Sequence, residues 1–248
     1  MSQNHSPLTG VHYYFLKWIA IFTMLTDHIA SCFLTENSLP YLIMRTIGRL
    51  AFPLFCFSLV ESFWFTKDRK KHLLRLAMIT LLSEIPFNLM ERGHFFAPDY
   101  QNVCFTLCMG YIGLWLCDMD FVNGWNRFFK FIYFLTVFSL LALLNQAIHA
   151  DYGFQGILLI GMFHFARNYE KKIPFQLIAL LLFAFLEQNP FCFVVVVDTL
   201  FINTDFGLSK NDSMKKATKN KMMKQFCGFF YPAHLLFLFF LKILLGCF

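Results

Sequence analysis

The chain is predicted to be an all-α, polytopic integral membrane bundle of about nine transmembrane helices, in a range of roughly eight to ten, and two observations carry that expectation. Of its 248 residues, 58% are hydrophobic and 15% charged, with a mean hydropathy of +0.55. That is more apolar surface than one soluble core can hide behind a polar shell. Apolar runs near the length needed to cross the hydrocarbon core, roughly 20 residues, recur from Val11 almost to Phe248 with short polar breaks.

The runs predict spans at 11–35, 41–66, 73–90, 103–121, 131–149, 154–170, 174–187, 191–208 and 226–246. The seventh is the shortest, so eight spans plus a hairpin is the alternative count. Residues 1–10 read as a short cytoplasmic tail and residues 209–225 as a basic cytoplasmic loop. With no internal repeat, residues 1–248 form one membrane domain.

The basic loops alternate. Lys67, Arg69, Lys70, Lys71 and Arg75 are followed on the same side by Arg127 and Lys130, then Arg167, Lys171 and Lys172, then the lysines from Lys210 to Lys224, whereas the opposite loops hold only Arg92. Lys and Arg collect in cytoplasmic loops, and an even number of spans separates Met1 from each basic loop, so the amino terminus is expected in the cytoplasm. The net charge of +6 is thereby topology, with membrane lipid head groups as partners of the 210–225 segment and no nucleic-acid surface. The eight cysteines have no CxxC pair and no zinc-site spacing, so no metal is expected. The 35 phenylalanines read as lipid-facing and packing residues.

Charged side chains within spans are costly and usually face the bundle interior. Span one holds Asp27 and His28, span two Arg45 and Arg49 ahead of Pro53, and span three Ser83, Glu84, Pro86 and Asn88. Counted from the inferred outer ends, Asp27, His28, Arg49 and Glu84 lie at a similar depth, in the outer half of the bilayer. Asn102 and Thr106 open span four at that face, and Asp151 and Tyr152 precede span six. Pro86 removes a backbone donor inside span three, an interruption expected to line a cavity.

Of these, His28 is the candidate catalytic group, because imidazole exchanges protons most readily near neutral pH. Asp27 points about 100° away from it around the helix and is expected to hold Arg49. Arg45 is on the same face as Arg49, so both arginines can pair with Asp27 and Glu84. Lys17 is three turns from His28 on the same side of the helix, placed either to snorkel to the inner surface or to meet an anionic phosphate. Tyr231 and His234 fall early in span nine, near the inner side. The same polar residues also suit a structural ion-pair network or a proton or ion pathway.

At these positions the chain resembles the TraX family, membrane proteins associated with N-terminal acetylation of F-type pilin. The matching segments are LKWIAIFTMLTDHIA (16–30), IGRLAFPLFCFSLVESF (47–63), RLAMITLLSEIPFNLM (75–90), NVCFTLCMG (102–110), ADYGFQGILLI (150–160) and FYPAHLL (230–236). The family is similar in turn to wider membrane acyltransferases that use a basic residue and a histidine in the first span. Lys17 and His28 match that arrangement in kind, the lysine standing where arginine is more usual.

The resemblance implies an N-acetyltransferase of the bacterial inner membrane. Acetyl-CoA would enter from the cytoplasm with Lys17, Arg75, Tyr231 and His234 on the donor side. His28, Asp27 and Arg49 would be catalytic, and Glu84, Asn88, Asn102, Thr106, Asp151 and Tyr152 would bind the acceptor, a pilin or another free amine. The rival readings are a proton-coupled transporter and a non-catalytic membrane component of a conjugation or secretion apparatus.

Overall fold

A computed structural model describes residues 10–167, 169, 172–204 and 213–246, with backbone alone at 10–14, 123 and 213–227. The expected tail at 1–9, residues 168 and 170 of the sixth predicted span, Lys171, the end of the eighth predicted span and the start of the basic loop, including Lys210, lie outside the described residues. Within the described residues the structure is all-helical. In chain order the helices are α1 (Gly10–Phe33), α2 (Leu39–Gly48), α3 (Ala51–Phe65), α4 (Arg69–Arg92), α5 (Val103–Cys117), the short α6 (Asp120–Asn123), α7 (Arg127–Ala147), α8 (Gly153–Ala166), α9 (Lys172–Leu186), α10 (Asp198–Asn203) and α11 (Ser213–Leu244), with a 3-10 stretch at Pro190–Val197.

Local chemistry sets the ends. Ser38, Asp68, Asn102 and Asn126 each accept a hydrogen bond from a backbone N–H of the first turn of the helix that follows, satisfying donors that a helix start leaves open. The Asp68 cap starts α4 four residues earlier than the hydropathy pattern alone does, and Gly93, at φ 70°, ends it in the left-handed region that suits glycine. Pro86 does not interrupt α4, which runs on to Arg92. Arg49 and Leu50 stay in right-handed helical conformation, so α2 and α3 make one span of 27 residues with only a local break.

Among the described residues three helices are long and apolar enough to cross a membrane, Leu39–Phe65, Arg69–Arg92 and Arg127–Ala147, and the apolar helices Val103–Cys117, Gly153–Ala166, Lys172–Leu186, Pro190–Asn203 and Gly228–Leu244 are shorter. The eighth predicted span departs most from expectation. Its run of valines follows Pro190 and forms a 3-10 stretch, after which α10 adds only six residues. The Asn189 side chain accepts from the Phe191 N–H at 3.0 Å and opens this segment.

The second departure is at the other end. Residues expected as a basic loop are helical from Ser213, as a segment rich in Lys and Met favours, and α11 is 32 residues long. His234 therefore stands 21 residues into its helix, about 31 Å along the axis, and not near the inner end.

Helix α3 is the central post: Ala51 to Leu54, Cys56 to Glu61 and Phe63 are all buried. Around it pack α1, α5 and α8, while α11 covers α4 and α1. By contrast α7 turns Phe128, Phe129, Leu135, Leu140 and Leu143 outward, as a lipid-facing helix does. With no hydrophobic drive between helices in lipid, close approach depends on small residues. At Gly156 of α8 a Cβ would come within 2.6 Å of Thr106 Cγ2 and 2.8 Å of Phe52 Cζ.

Gly156→Ala is expected to overpack the α3–α5–α8 junction and cost about 1–3 kcal/mol. Thermal unfolding in detergent should show it, with Gly124→Ala, where a Cβ meets nothing within 4 Å, unchanged.

Candidate functional site

Asp27 and His28 of α1 find their partners on other helices. Arg45 of α2 donates through Nη1 to Asp27 Oδ2 at 2.5 Å, with the two side chains 27% and 16% exposed. Gly48 allows this approach, since a Cβ there would fall 2.2 Å from Asp27 Oδ1. Arg49, expected to be held by Asp27, instead has the Tyr152 hydroxyl at 3.5 Å, while Asp27 lies within electrostatic reach. Arg45 and Gly48 both meet Asp27 of α1, whereas Arg49, four residues after Arg45 and at the C-cap of α2, turns toward Tyr152 of the α7–α8 loop.

On the next residue of α1, the imidazole of His28 meets His234 of α11. His28 Nδ1 and His234 Nε2 are 2.8 Å apart, the rings are inclined by 10°, and His234 Nδ1 is 2.8 Å from the Phe230 carbonyl oxygen. His234 is buried, and Phe230 stacks on it at a centroid distance of 4.9 Å. Tyr231, also buried, completes the wall, its ring centroid 6.4 Å from that of His28. Thus Tyr231 and His234, assigned from sequence to the donor side, stand beside the candidate base.

A third group is built by the α7–α8 loop. Tyr152 adopts φ 60° and lays its ring flat on Phe52 of α3 at 3.8 Å, which aims its hydroxyl at Arg49. Asp151 Oδ1 accepts from the Tyr100 hydroxyl at 2.8 Å and from the Tyr152 N–H at 3.0 Å. Burial pushes the Asp151 carboxyl up to about 6, against the lowering pull of the Tyr100 hydrogen bond and the Arg49 charge. Thr106 donates to the Asp151 carbonyl at 2.5 Å, and Asn145 Nδ2 donates to Thr106 Oγ1 at 2.9 Å and to the Gly153 carbonyl at 2.7 Å.

Glu84 and Asn102 form a separate unit. Asn102 Nδ2 donates to Glu84 Oε2 at 2.5 Å and to the Thr80 carbonyl at 3.1 Å, tying α5 to α4. Glu84 therefore pairs with an amide across this junction, and the expected arginine pairing is not what holds it. Asn88 donates to the Phe95 carbonyl at 3.4 Å, in the loop after α4. Lys17 is half-buried, about 16 Å along α1 from His28, and Arg75 is exposed near the start of α4.

The profile of the TraX protein family matches residues 13–242. The chain belongs to the TraX family. It is 28% identical over 185 residues, 71% of this chain and 72% of the relative, to a protein of Dichelobacter nodosus described as "Probable fimbrial assembly protein FimC, serogroup H1". No solved structure matches.

The TraX motifs meet in space. The DH pair, the GR pair, ADYG and YPAHL supply Asp27, His28, Gly48, Arg49, Asp151, Tyr152, Tyr231 and His234 to adjoining clusters, whereas the SE-x-PFN and N-x-x-FT segments brace α4, α5 and the α7–α8 loop. The sequence reading passed over Tyr100, Asn145 and Glu91. Glu91 accepts from Ser31 at 3.4 Å and lies within electrostatic reach of Arg45 and Asp27. An Asn at position 145, near the end of an apolar helix, was the available signal for one of them.

Two outcomes follow from this geometry. Asp27→Ala leaves Arg45 without its counter-ion and should destabilise the protein by up to about 3 kcal/mol, the lower end for breaking a buried pair. The double variant Asp27→Ala/Arg45→Ala should recover part of that loss in thermal melts in nanodiscs.

Asp151 binds its proton more tightly folded than unfolded, so its ionisation opposes folding as pH rises from the ordinary carboxylate range through about 6. Wild type should accordingly lose stability relative to Asp151→Asn across that window, by on the order of 3 kcal/mol at most. Paired melts at pH 4.5 and 7.5 measure the difference.

Proposed function

We propose that the chain is a membrane-embedded N-acetyltransferase of the bacterial inner membrane, with its amino terminus in the cytoplasm. It takes the acetyl group of cytosolic acetyl-CoA to an acceptor amine at the outer side, the amino terminus of a pilin. The observation that carries the reading is the His28 imidazole, held by buried His234 and adjacent in sequence to the Asp27 that pairs with Arg45. Membership of TraX and a relative named for fimbrial assembly support a pilus-associated role.

In this reaction the amine nitrogen attacks the thioester carbonyl, so that a C–N bond forms and the C–S bond breaks. His28 takes the proton that the amine loses and returns it to the departing thiolate. The two-step variant passes the acetyl group through a ring nitrogen of His28. Arg49 stabilises the oxyanion of the tetrahedral stage, a contribution on the order of 3 kcal/mol for one well-placed donor. Tyr152 orients Arg49, and Asp27 neutralises Arg45 so that its charge does not oppose protonation of His28.

Lys17, Arg75 and the basic residues at 67–72 receive the phosphates of the donor. Glu84, Asn88, Asn102 and Thr106 act on the acceptor side through the loops that they hold, with Asp151 and Tyr152 nearest the acceptor.

The test needs no acceptor. Purified protein in nanodiscs should bind acetyl-CoA saturably and hydrolyse it slowly, and His28→Ala should keep the binding while lowering hydrolysis by about 10²-fold or more. Absence of binding by folded protein would overturn the reading and favour a transporter or an assembly component. Acetyl transfer to an amine-bearing peptide that survives His28→Ala would overturn the assignment of the base.

A further inference from the structure

The contact between His28 and His234 leaves one proton arrangement open when both rings are neutral. The Phe230 carbonyl oxygen can only accept, so the 2.8 Å contact with His234 Nδ1 requires the proton on that nitrogen. A neutral imidazole carries one N–H, so His234 Nε2 is a lone pair. The 2.8 Å contact between it and His28 Nδ1 then requires the proton on His28 Nδ1. That leaves His28 Nε2 as the lone pair of the second ring.

We propose that His234 is a positioning residue that fixes the tautomer of His28, so that Nε2 of His28 is the atom that takes the proton in the transfer reaction. The inference rests on the acetyltransferase reading for its chemical purpose, though not for its geometry. When His28 Nε2 takes a proton, His28 becomes an imidazolium whose Nδ1–H still donates to His234. The hydrogen bond to a charged donor is stronger than the neutral one, so His234 stabilises the charged intermediate without itself changing protonation. A carboxylate plays this part in the serine protease triad; here a neutral imidazole, itself oriented by a backbone carbonyl, does so in an apolar setting where a second buried charge would be costly.

Packing keeps the arrangement rigid. Phe230 stacks on His234 with 10° between the planes, and His234 is 6% exposed. The accepting carbonyl belongs to the same helix four residues earlier, so the ring is referenced to the backbone of α11 and not to a mobile side chain. The contact spans 206 positions in sequence, and it joins α1 to α11 at one point.

Nitrogen-15 NMR of histidine-labelled protein in nanodiscs, above the pH at which the rings protonate, reads the tautomers directly. His28 and His234 should each carry the proton on Nδ1, the minor form in water, and His28→Gln and His234→Gln should each remove one such signal. In His234→Gln the side-chain carbonyl can still accept, so His28 should keep its Nδ1 proton; in His234→Leu it should revert to Nε2–H. In the hydrolysis assay His234→Leu should lower kcat by about 10²-fold with an unchanged KM for acetyl-CoA, and His234→Gln should restore most of it.

A proton on Nε2 of His28 in the wild-type protein would overturn the inference whatever the activity, as would an effect of His234→Leu on KM alone. Nδ1 protons on both rings in a protein that neither binds nor hydrolyses acetyl-CoA would uphold the relay and sink the acetyltransferase reading.

Discussion

The ion pair between Asp27 and Arg45 is the constraint from which the rest of the site follows. Two opposite charges within an apolar bundle are stable only in contact, and the contact is possible only because Gly48 presents no side chain where Asp27 must lie. That closes α1 on α2 at a fixed rotation. Once α1 is so turned, the next residue, His28, points about 100° away around the helix, out of the ion pair and toward α11. The acid and the imidazole are neighbours in sequence with separate tasks because the helical period sends them to different partners.

Much of this was legible. Polar residues in apolar runs can be seen without a structure, and the cost of placing them there makes each one informative. Asp27, His28, Arg49 and His234 are visible on that ground, and they fall in clusters adjoining the loop residues Asp151 and Tyr152. The capped helix starts at Asp68 and Asn102 were equally open to reading, since a capping side chain followed by a helical run needs only local information.

What stayed hidden was the choice among partners. Two arginines four residues apart on one helix look interchangeable to Asp27, and only the small side of α2 at Gly48 decides for Arg45. Glu84 finds an amide in Asn102 across the α4–α5 contact, where counting charges pointed to arginine. The depth of His234 was misread for a simpler reason. A basic, polar stretch reads as a loop ahead of the last span, but Lys and Met propagate a helix well, so α11 starts 13 residues before the expected 226 and His234 lies deep in its helix, in contact with His28. The valine run after Pro190 shows the converse, because hydropathy is blind to whether an apolar segment forms a long α-helix or a short 3-10 stretch.

The braced loop after α7 explains why so many of the motif residues are amides and hydroxyls and not charges. A loop at the edge of the apolar layer exposes carbonyls and N–H groups that neighbouring helices have to satisfy. Thr106 and Asn145 do this for the Asp151 and Gly153 carbonyls, and Tyr100 and the Tyr152 N–H do it for the Asp151 carboxylate. With its backbone so held, Tyr152 can keep a left-handed conformation that a free loop would abandon, and its ring stays flat on Phe52. The guanidinium of Arg49 then has a fixed neighbour in the Tyr152 hydroxyl. Side chains that do not touch Arg49 thus determine where it points, and the rigidity around it is supplied by hydrogen bonds placed one layer away.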